Sequence, residues 1–487
     1  MIVEVQQGCQ QRFLGSSHNV SIQLLLSSAE ASAFKYVTVM FFDVAGAFDS
    51  LWWPAVFSEL KRLDCPKNIY VLLRSFLTGR TVFAELPNKR LVKEVHRGCA
   101  QGSVSGLALW KINMNPLLEG LSAAGFLPTA FVDDFAVMIE ATSRVDLEGK
   151  ASQAVALVTR WCHQHKLALN CDKTKLLFLK GKMQGFLPRI RVGDVIIRPS
   201  EEVKFLGVVM GTRGNFISHI KAIRSRAIQR FTCLRTIAAS TWGLSYKNRE
   251  TLYKATFLPL ALYAAPAWGQ KLKKKEVQLL QQAQRRALLL ETGAYKTAPT
   301  SALQVIAGHM PIDLEIQLAV AKHNLKRGQP ARVGDSVFTG SIDVLLNRLL
   351  EAALTAWQRR WDEGTDGRLT HEFFPSVRDR LQKPWIQTDF WTTQLLTGHG
   401  DINQKLHFFR RRDDPACECG APSEDARHII LDCPIHTTAR LALAGAFTLL
   451  NWPPETLARL IENEDLFRNF KTYARAVFQK KLRRQRI

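Results

Sequence analysis

The sequence lacks an apolar segment long enough to cross a membrane. Its longest apolar stretch, ATFLPLALYAAPAW at residues 255–268, contains two prolines and is shorter than the roughly 20 residues that a membrane-spanning helix needs. The first residues, MIVEVQQGCQQ, also lack the basic segment and apolar core of a secretory signal. These absences predict an intracellular protein with no membrane partner, in which residues 255–268 form a buried helix with breaks.

Cysteines are few, and they are not spaced as a disulfide framework. Six of the nine are scattered along the chain, whereas three lie close together between residues 417 and 433. Because an intracellular chain keeps its thiols reduced, the close group favours a metal site over disulfides.

Acidic residues are also in short supply. The 487-residue chain has 66 Lys and Arg against 43 Asp and Glu, which gives a formal net charge of +23. Such an excess predicts a polyanionic partner, and nucleic acid is the first candidate. The length suggests about two to four domains, and 46% hydrophobic residues are enough to fill their cores.

The first 210 residues have the pattern of an α+β domain. Their order of strand, helix, hairpin, helix and strand predicts the split βαβ topology of a ferredoxin-like palm. A mostly helical, basic region follows, in which ARVGDSVFTGS (331–341) is interpreted as a linker. The predicted elements are helices 17–33, 53–63, 105–121 and 145–166, and strands 36–43, 81–86, 90–95 and 175–180.

Two adjacent carboxylates, Asp133 and Asp134, interrupt the apolar run FVDDFAVMI. Taken alone, such a pair is more often a solvated turn than a catalytic site. Here the apolar strands on both sides predict a buried hairpin, where the pair would neutralise or repel unless a cation compensated it. Asp43, at the end of another buried strand, supplies a third carboxylate. Mg²⁺ takes oxygen ligands of this kind, and two such ions can stabilise both oxygens of a phosphoryl transfer.

Five ordered segments resemble the A to E motifs of reverse transcriptases from retrotransposons without long terminal repeats. The likeness is closest to the type-1 elements that insert into insect ribosomal RNA genes, and it covers nearly the whole chain. It implies an RNA-directed DNA polymerase whose partners are an RNA template, a DNA primer or target and deoxynucleoside triphosphates, and whose location is nuclear. The five segments are FFDVAGAFDSLWWPAV (41–56), RGCAQGSVSGLALWKINMNPLL (97–118), FVDDF (131–135), LALNCDKTKLLFLKG (167–181) and VKFLGVVM (203–210).

The resemblance implies catalytic roles for four residues. Asp43 and Asp133 would hold two Mg²⁺ ions, for which Mn²⁺ can substitute, with Asp134 contributing beside them. Lys173 matches a lysine that could protonate the departing pyrophosphate, and a solvated lysine is the alternative interpretation.

The resemblance also implies a nucleotide-binding surface. Phe48 would lie beneath the sugar of the incoming nucleotide and exclude a 2′-hydroxyl, although a plain core aromatic would fit the same pattern. A Gly and Ser-rich turn before a helix would let the backbone approach the nucleotide closely, where an ordinary turn is the alternative. The residues of that turn are Gly98, Gln101, Gly102 and Ser103.

The Cys and His residues near the C-terminus have the spacing C-x-C-x8-H-x4-C. Three thiolates and an imidazole, from Cys417, Cys419, His428 and Cys433, suit a closed tetrahedral Zn²⁺ site of the zinc-knuckle type. The alternatives are reduced structural cysteines, or His436 in place of His428. Basic residues at 410–412 would then contact a nucleic-acid backbone.

The family resemblance gives an expected architecture. A right-hand polymerase palm with partial fingers (1–210) precedes a helical thumb (211–330), a helical connection (331–400) and a C-terminal nucleic-acid-binding region with the zinc-knuckle-like module (401–487). The fingers are incomplete and Val132 replaces the alanine usual in the family. The chain therefore resembles an N-terminally truncated fragment of a polyprotein whose endonuclease lies outside it. The rival hypothesis is a catalytically inactive remnant that only binds nucleic acid.

Overall fold

The computed structural model describes residues 14–87, 89–181, 187–237, 243–445 and 453–484. The chain divides into two compact units between His219 and Ile220. No helix among the described residues is long and apolar enough to cross a membrane.

The first unit combines helices with a five-stranded sheet. Its helices are α1 (Leu14–Ala31), α2 (Ala47–Ser50), α3 (Trp53–Arg62), α4 (Lys67–Leu77), α5 (Val104–Ala123) and α6 (Arg144–Gln164), and α7 (Ile217–Leu234) begins at its end. Its strands are β1 (Tyr36–Phe42), β2 (Val44–Ala45), β3 (Thr81–Leu86), β4 (Lys89–Glu94), β5 (Leu127–Phe131), β6 (Asp134–Ala141), β7 (Ala168–Leu169), β8 (Lys175–Lys180), β9 (Ile190–Val192), β10 (Val195–Ile197), β11 (Pro199–Ser200), β12 (Glu202–Phe205) and β13 (Val208–Gly211).

The main sheet has the strand order β11-β8-β1-β6-β5. Strand β1 lies at its centre and pairs antiparallel with both β6 and β8, while β5 and β6 form a hairpin. The apolar run of β1 is buried from its second residue onward because strands flank it on both sides and helices cover the sheet. The expected order of strand, helix, hairpin, helix and strand is therefore present, and its strands β1, β5, β6 and β8 belong to one sheet.

Helices α5 and α6 bury the apolar residues of this unit. Serine side chains cap both, since Ser103 accepts the amide of Gly106 and Ser143 accepts that of Asp146. The core beneath them contains Trp110 from α5, which is fully buried, and Trp161 from α6. Both tryptophans belong to the same hydrophobic core as the apolar residues of β1 and β6.

The second unit is mostly helical. Its helices are α8 (Tyr246–Leu252), α9 (Leu258–Leu262), α10 (Ala265–Trp268), α11 (Lys274–Thr292), α12 (Thr300–Ala307), α13 (Ile312–Lys326), α14 (Ile342–Glu363), α15 (Arg368–Phe373), α16 (Val377–Leu381), α17 (Phe390–Thr397), α18 (Asn403–Phe408), α19 (Ala426–Leu431), α20 (Thr437–Gly445) and α21 (Glu464–Arg484), and its strands are β14 (Ala331–Val333) and β15 (Ser336–Phe338).

The long apolar stretch at 255–268 is helical with breaks, as predicted. A π-helical turn precedes α9, and Ala264, with a φ of 51°, separates α9 from α10. Phe257 and Trp268 are buried. Burial within the protein therefore accounts for the apolar character of this stretch.

The interpretation of residues 331–341 as a linker is wrong. They form the antiparallel hairpin of β14 and β15, in which Val333 pairs with Ser336. Val333 and Phe338 belong to a hydrophobic core that extends from Ala302 to Phe478. The apolar residues at these alternating positions are packed against α13 and α14, so the segment is part of the core. The finer boundaries at 330 and 400 stay predictions.

Candidate active site and metal cluster

Asp43, Asp133 and Asp134 lie at the same end of the main sheet. Strand β1 ends at Phe42, whose pairing partner in β6 is Phe135, so Asp43 adjoins the end of β6 where Asp134 stands. Asp133 occupies the two-residue loop between Phe131 and Asp134. The order of the strands thus brings carboxylates that are ninety residues apart in sequence to one edge.

The expectation that the aspartate pair is buried is wrong. Strands β5 and β6 are largely buried, but Asp133 is half-buried and Asp134 is exposed. The side chain of Asp43 is 33% exposed. Asp133 lies in the loop beyond the last pair of the hairpin, and Asp134 belongs to that last pair at the end of the sheet, so both carboxylates remain accessible to a hydrated ligand.

The loop that carries Asp133 has a strained backbone. Val132 has a φ of 59°, the left-handed region that costs a residue with a Cβ roughly 1–2 kcal/mol. The indole N–H of Trp110 donates a hydrogen bond of 2.8 Å to the carbonyl of Val132. This bond fixes the peptide next to Asp133 to the core.

An aromatic cluster holds Trp110 in place. The ring of Phe48 stacks on Trp110 with centroids 5.9 Å apart, and Trp161 meets Trp110 edge-on at 6.5 Å. Beyond them, Nδ1 of His165 lies 2.8 Å from the side-chain oxygen of Asn113. Burial lowers the pKa of His165, which keeps the imidazole neutral in this setting. Phe48 is half-buried and packs against this core with one ring face.

The backbone of the predicted nucleotide-binding turn docks on the segment that carries Phe48. The amide of Cys99 donates to the carbonyl of Phe48 at 2.9 Å, and that of Gly98 donates to Leu51 at 2.7 Å. Gly98 has a φ of +90°, and a Cβ there would lie 2.9 Å from the carbonyl oxygen of Asp49. The buried indole of Trp53 donates to the Gly98 carbonyl at 2.8 Å. Only glycine, which has no Cβ, permits the close approach of residue 98 to the Asp49 carbonyl.

The remaining residues of the turn face solvent at the start of α5. Gln101 and Gly102 are exposed, and Ser103 caps the helix by accepting the Gly106 amide at 2.9 Å. Sequence reasoning missed Gly106, where a Cβ would lie 2.6 Å from the Ala100 carbonyl oxygen. The turn therefore closes tightly on the N-terminus of a 20-residue helix, a location that favours phosphate.

Lys173 is close to Asp43. Strand β7 pairs with β2, and the amide of Asn170 donates to the carbonyl of Asp43 at 2.8 Å. The Asn170 side chain accepts the amide of Lys173, whose Nζ lies 3.4 Å from Oδ2 of Asp43. The lysine side chain is 67% exposed. Asn170, another residue that sequence reasoning missed, thus sets the position of both charged groups.

The ligand atoms of Cys417, Cys419, His428 and Cys433 all lie within 4.8 Å of one another. The Sγ atoms of Cys417 and Cys433 are 3.7 Å apart, and Sγ of Cys419 is 3.3 Å from Nε2 of His428. Tetrahedral coordination with Zn–S bonds of about 2.3 Å places two sulfurs about 3.8 Å apart. The arrangement therefore fits a tetrahedral zinc ion.

His436, the alternative ligand, is not part of this group. It is buried, and burial together with nearby lysines and arginines lowers its pKa to about 4. His428 rather than His436 joins the cluster because of α19, whose N-cap Asp425 accepts the amide of His428 at 2.7 Å. That cap begins a helical turn that places His428 opposite Cys419.

The thiols of the cluster differ in environment. Burial raises the pKa of Cys417 and of Cys433, whereas a backbone hydrogen bond from Ala421 lowers that of Cys419. Gly420, with a φ of 93°, closes the turn by donating its amide to the Cys417 carbonyl at 2.9 Å.

A buried ion pair adjoins the cluster, and sequence reasoning did not find it. Glu424 is 4% exposed and lies 3.6 Å from the thiol of Cys417, which donates to it. The amide of Asn403 donates to the same carboxylate at 3.1 Å, and Lys481 of α21 forms an ion pair with it. The pair links the cluster to the last helix of the unit.

Comparison with known proteins defines the class first. The profile of the reverse transcriptase (RNA-dependent DNA polymerase) family matches residues 7–210, which include every element of the sheet edge described above.

Relatives then define the particular family. The chain is 35% identical over 423 residues to a Pol polyprotein from the type-1 retrotransposable element R1 of Bradysia coprophila, and 34% identical over 421 residues to a 115 kDa protein of element R1DM of Drosophila melanogaster. It is 31% identical to an R1 Pol polyprotein of Nasonia vitripennis, with 72% of this chain and 94% of that protein covered. The chain belongs to the Pol reverse transcriptases of R1-type non-LTR retrotransposons.

The matches cover most of this chain but less than half of the length of two of these relatives. The matches cover 84% and 85% of this chain but only 41% of each of the Bradysia and Drosophila relatives. Among solved structures, apo telomerase from Candida tropicalis is similar at 13% identity over 73% of this chain and 52% of that chain. The TM-score of this match is 0.33.

Proposed function

We propose that this chain is an RNA-directed DNA polymerase that copies the RNA of a non-LTR retrotransposon. The observation that carries the proposal is the convergence of Asp43, Asp133 and Asp134 at one sheet edge, with Lys173 beside Asp43. These are the residues that match the catalytic positions of the family. The named relatives include an RNA-directed DNA polymerase from the mobile element jockey.

Asp43 and Asp133 would hold two Mg²⁺ ions, with Asp134 contributing beside them. The donors are carboxylate oxygens that solvent reaches, which suits an ion that keeps several of its waters. When bound, such ions stabilise the charge on the transferring phosphoryl group. The ammonium of Lys173, 3.4 Å from Asp43, supports this assignment because it indicates that the Asp43 carboxylate attracts a cation, and the exposed lysine can move away when a metal binds.

The chain's own residues would orient the substrates and move the proton. Lys173 would donate its proton to the pyrophosphate leaving group, from an exposed position that lets it follow the product. The N-terminus of α5 and the tight turn at Gly98 and Gly102 would receive the nucleotide phosphates. Gln101, exposed in the same turn, would contact the template or the incoming nucleotide.

Phe48 would select deoxyribose. The ring of Phe48 stacks on Trp110, and the backbone carbonyl of Phe48 accepts the amide of Cys99. These two contacts prevent the ring from moving aside. A fixed ring under the sugar would clash with a 2′-hydroxyl, the group that distinguishes a ribonucleotide. Deoxynucleoside triphosphates are therefore the proposed substrates.

The four-residue cluster would hold a structural Zn²⁺. Its closed set of three sulfurs and one nitrogen leaves no position for a substrate, which is typical of structural rather than catalytic zinc. The nearby arginines at 410–412 would contact a nucleic-acid backbone.

In the cell, the proposed reaction would take place in the nucleus at a nicked DNA target that serves as primer. Residues 1–210 would supply the palm and part of the fingers, residues 211–330 a thumb, and the C-terminal region further nucleic-acid contacts. The endonuclease that makes the nick would belong to the longer polyprotein.

A primer-extension assay tests the proposal. Purified chain with Mg²⁺, dTTP and oligo(dT) annealed to poly(rA) should yield products that disappear on chelation of the metal. Poly(dA) with the same primer serves as the control for a DNA template. RNA binding without any extension would reject the polymerase and favour the binding-only remnant.

A further inference from the structure

An exposed aromatic and basic ledge stands at the end of α18 in the second unit. It consists of Lys405, Phe408, Phe409 and the arginines 410–412. The side chain of Phe408 is 72% exposed and that of Phe409 40% exposed, with their rings edge-on at 5.2 Å. Nζ of Lys405 lies 5.2 Å above the Phe408 ring. Adjacent exposed phenylalanines are costly in water unless a ligand covers them.

The loop after α18 has an arginine where a glycine would be more stable. The amide of Arg411 donates to Leu406 at 2.8 Å and that of Arg410 to His407 at 2.8 Å, which together form a Schellman helix end. Arg410 occupies the left-handed position of this motif with a φ of 54°. Glycine would remove a strain of roughly 1 kcal/mol there. The side chain of His407 also bonds the carbonyl of Arg412, so the loop presents its arginines from a fixed backbone.

The charges of the ledge are available to a ligand. Within the described ranges, no carboxylate forms an ion pair with Lys405 or with any of the three arginines. Asp413 and Asp414 follow in sequence, and the Asp414 side chain accepts the amide of Ala416 instead. The ledge therefore has a local excess of positive charge.

A cleft of about 720 Å³ adjoins the ledge. Its lining includes Phe408, Phe409 and Lys405 of the ledge, Arg285 of α11 and His399 of the loop after α17, together with the acidic residues Asp366, Glu372 and Asp425. Burial, Lys405 and Arg285 together lower the pKa of His399 to about 4. Of the acidic residues, Glu372 forms an ion pair with Arg427 and Asp425 caps α19. Arg285 donates to the Thr300 hydroxyl and the Lys296 carbonyl, so its charge and that of Lys405 can attract an anion, and the size of the cleft is sufficient for one nucleotide.

We propose that the ledge and its cleft bind single-stranded RNA, with one base stacked on Phe408 and the phosphates held by Arg411, Arg412 and Lys405. Aromatic rings between cations are the pattern by which proteins hold unpaired strands. The choice of RNA rests on the proposed function. During RNA-directed synthesis the new DNA is paired with its template, so the strand that must stay single ahead of the active site is RNA.

Anisotropy of a fluorescein-labelled oligo(rU) of about 12 nucleotides, added to the full chain, measures this binding. Phe408→Ala should weaken it at least about five-fold, the size expected for one lost stacked base. Phe408→Trp should retain it, since the indole also stacks. Val344→Ala, which trims another exposed apolar side chain of the same unit, should have no effect.

The salt dependence of the affinity tests the role of Arg411 and Arg412 separately. Replacing Arg411 and Arg412 by glutamine should reduce the slope of log affinity against log salt by about 1.4, or about 0.7 for each phosphate that is no longer neutralised. Lys326→Gln, an exposed charge at the end of α13, should leave the slope unchanged.

The proposal fails if Phe408→Ala binds oligo(rU) as the parent does, or if the parent prefers a DNA strand or duplex of matching sequence. Primer extension distinguishes the two proposals. A parent that binds oligo(rU) through Phe408 but extends no primer refutes only the polymerase.

Discussion

Replacing Trp110 by phenylalanine should impair catalysis without touching a carboxylate. The substitution keeps a ring for Phe48 to stack on but removes the N–H that donates to Val132 at 2.8 Å. The strained peptide before Asp133 would then have no anchor in the core. Because misplacing a catalytic group by about 1 Å can cost roughly 100-fold, we expect kcat for primer extension to fall at least ten-fold.

The cost in stability can be estimated from the same hydrogen bond and ring volume. Leaving the Val132 carbonyl without its donor should cost about 1–3 kcal/mol, toward the lower end if water reaches it. A phenyl ring is smaller than an indole by ~40 Å³, which at about 24 cal/mol per Å³ of cavity adds about 1 kcal/mol. The free energy of unfolding should therefore fall by about 2–4 kcal/mol.

Trp161→Phe is the matched control. Trp161 is buried in the same cluster, and its indole N–H donates to the carbonyl of Asn113 at 3.2 Å, away from the loop. Both variants lose the same volume and one hydrogen bond, so chemical denaturation should show comparable destabilisation. Extension rates at a temperature where both remain folded should fall only for Trp110→Phe. Equal losses of kcat would refute the idea that Trp110 positions Asp133.

Three further outcomes are expected. Asp133→Asn should lower extension by several orders of magnitude while RNA binding stays within a few-fold, because a metal-binding charge is lost with little change of volume; undiminished extension would remove its assignment. Phe48→Val should admit ribonucleotides and reduce discrimination by roughly ten-fold or more, whereas Phe48→Tyr should not, and unchanged ribonucleotide incorporation in active enzyme would leave Phe48 a core residue. Co²⁺ bound in place of Zn²⁺ should give strong visible absorption of the tetrahedral thiolate type, which Cys419→Ser should weaken; absence of that absorption in the parent would reject the metal site.

The ends of the strands were predictable because their apolar runs stop abruptly at a charge. Asp43 and Asp133 both end or interrupt such runs, and the order of the elements placed them at one edge. The exposure of the carboxylates was not predictable in the same way. The hydrophobic pattern predicts the strands and their register. How much of the turn the surrounding helices leave open to solvent depends on tertiary packing, which the pattern does not specify.

The long-range hydrogen bonds could not be predicted from the sequence either. A tryptophan within an apolar helix is expected to be buried, yet nothing in LALWKINMN indicates that its N–H reaches the carbonyl of Val132. The hairpin at 331–338 could have been found. Gly334 and Asp335, between the short segments ARV and SVF, are a two-residue hairpin signal, and Gly334 has the φ of 57° that such a turn requires. Spacing alone left His428 and His436 open, because the helix cap at Asp425 decides between them.

With the proposed zinc bound, the ion pair between Glu424 and Lys481 would couple metal occupancy to the order of α21. A carboxylate next to a coordinated thiolate needs its cation. The lysine that supplies it lies on the face of α21 that fills the core with Phe470, Val477 and Phe478. Thermodynamic coupling is reciprocal. A change that destabilises the packing of α21 would therefore lower the affinity for the proposed zinc, and removal of the zinc would destabilise α21. The proposed metal would therefore stabilise the packing of α21 as well as the short loop that holds the cluster.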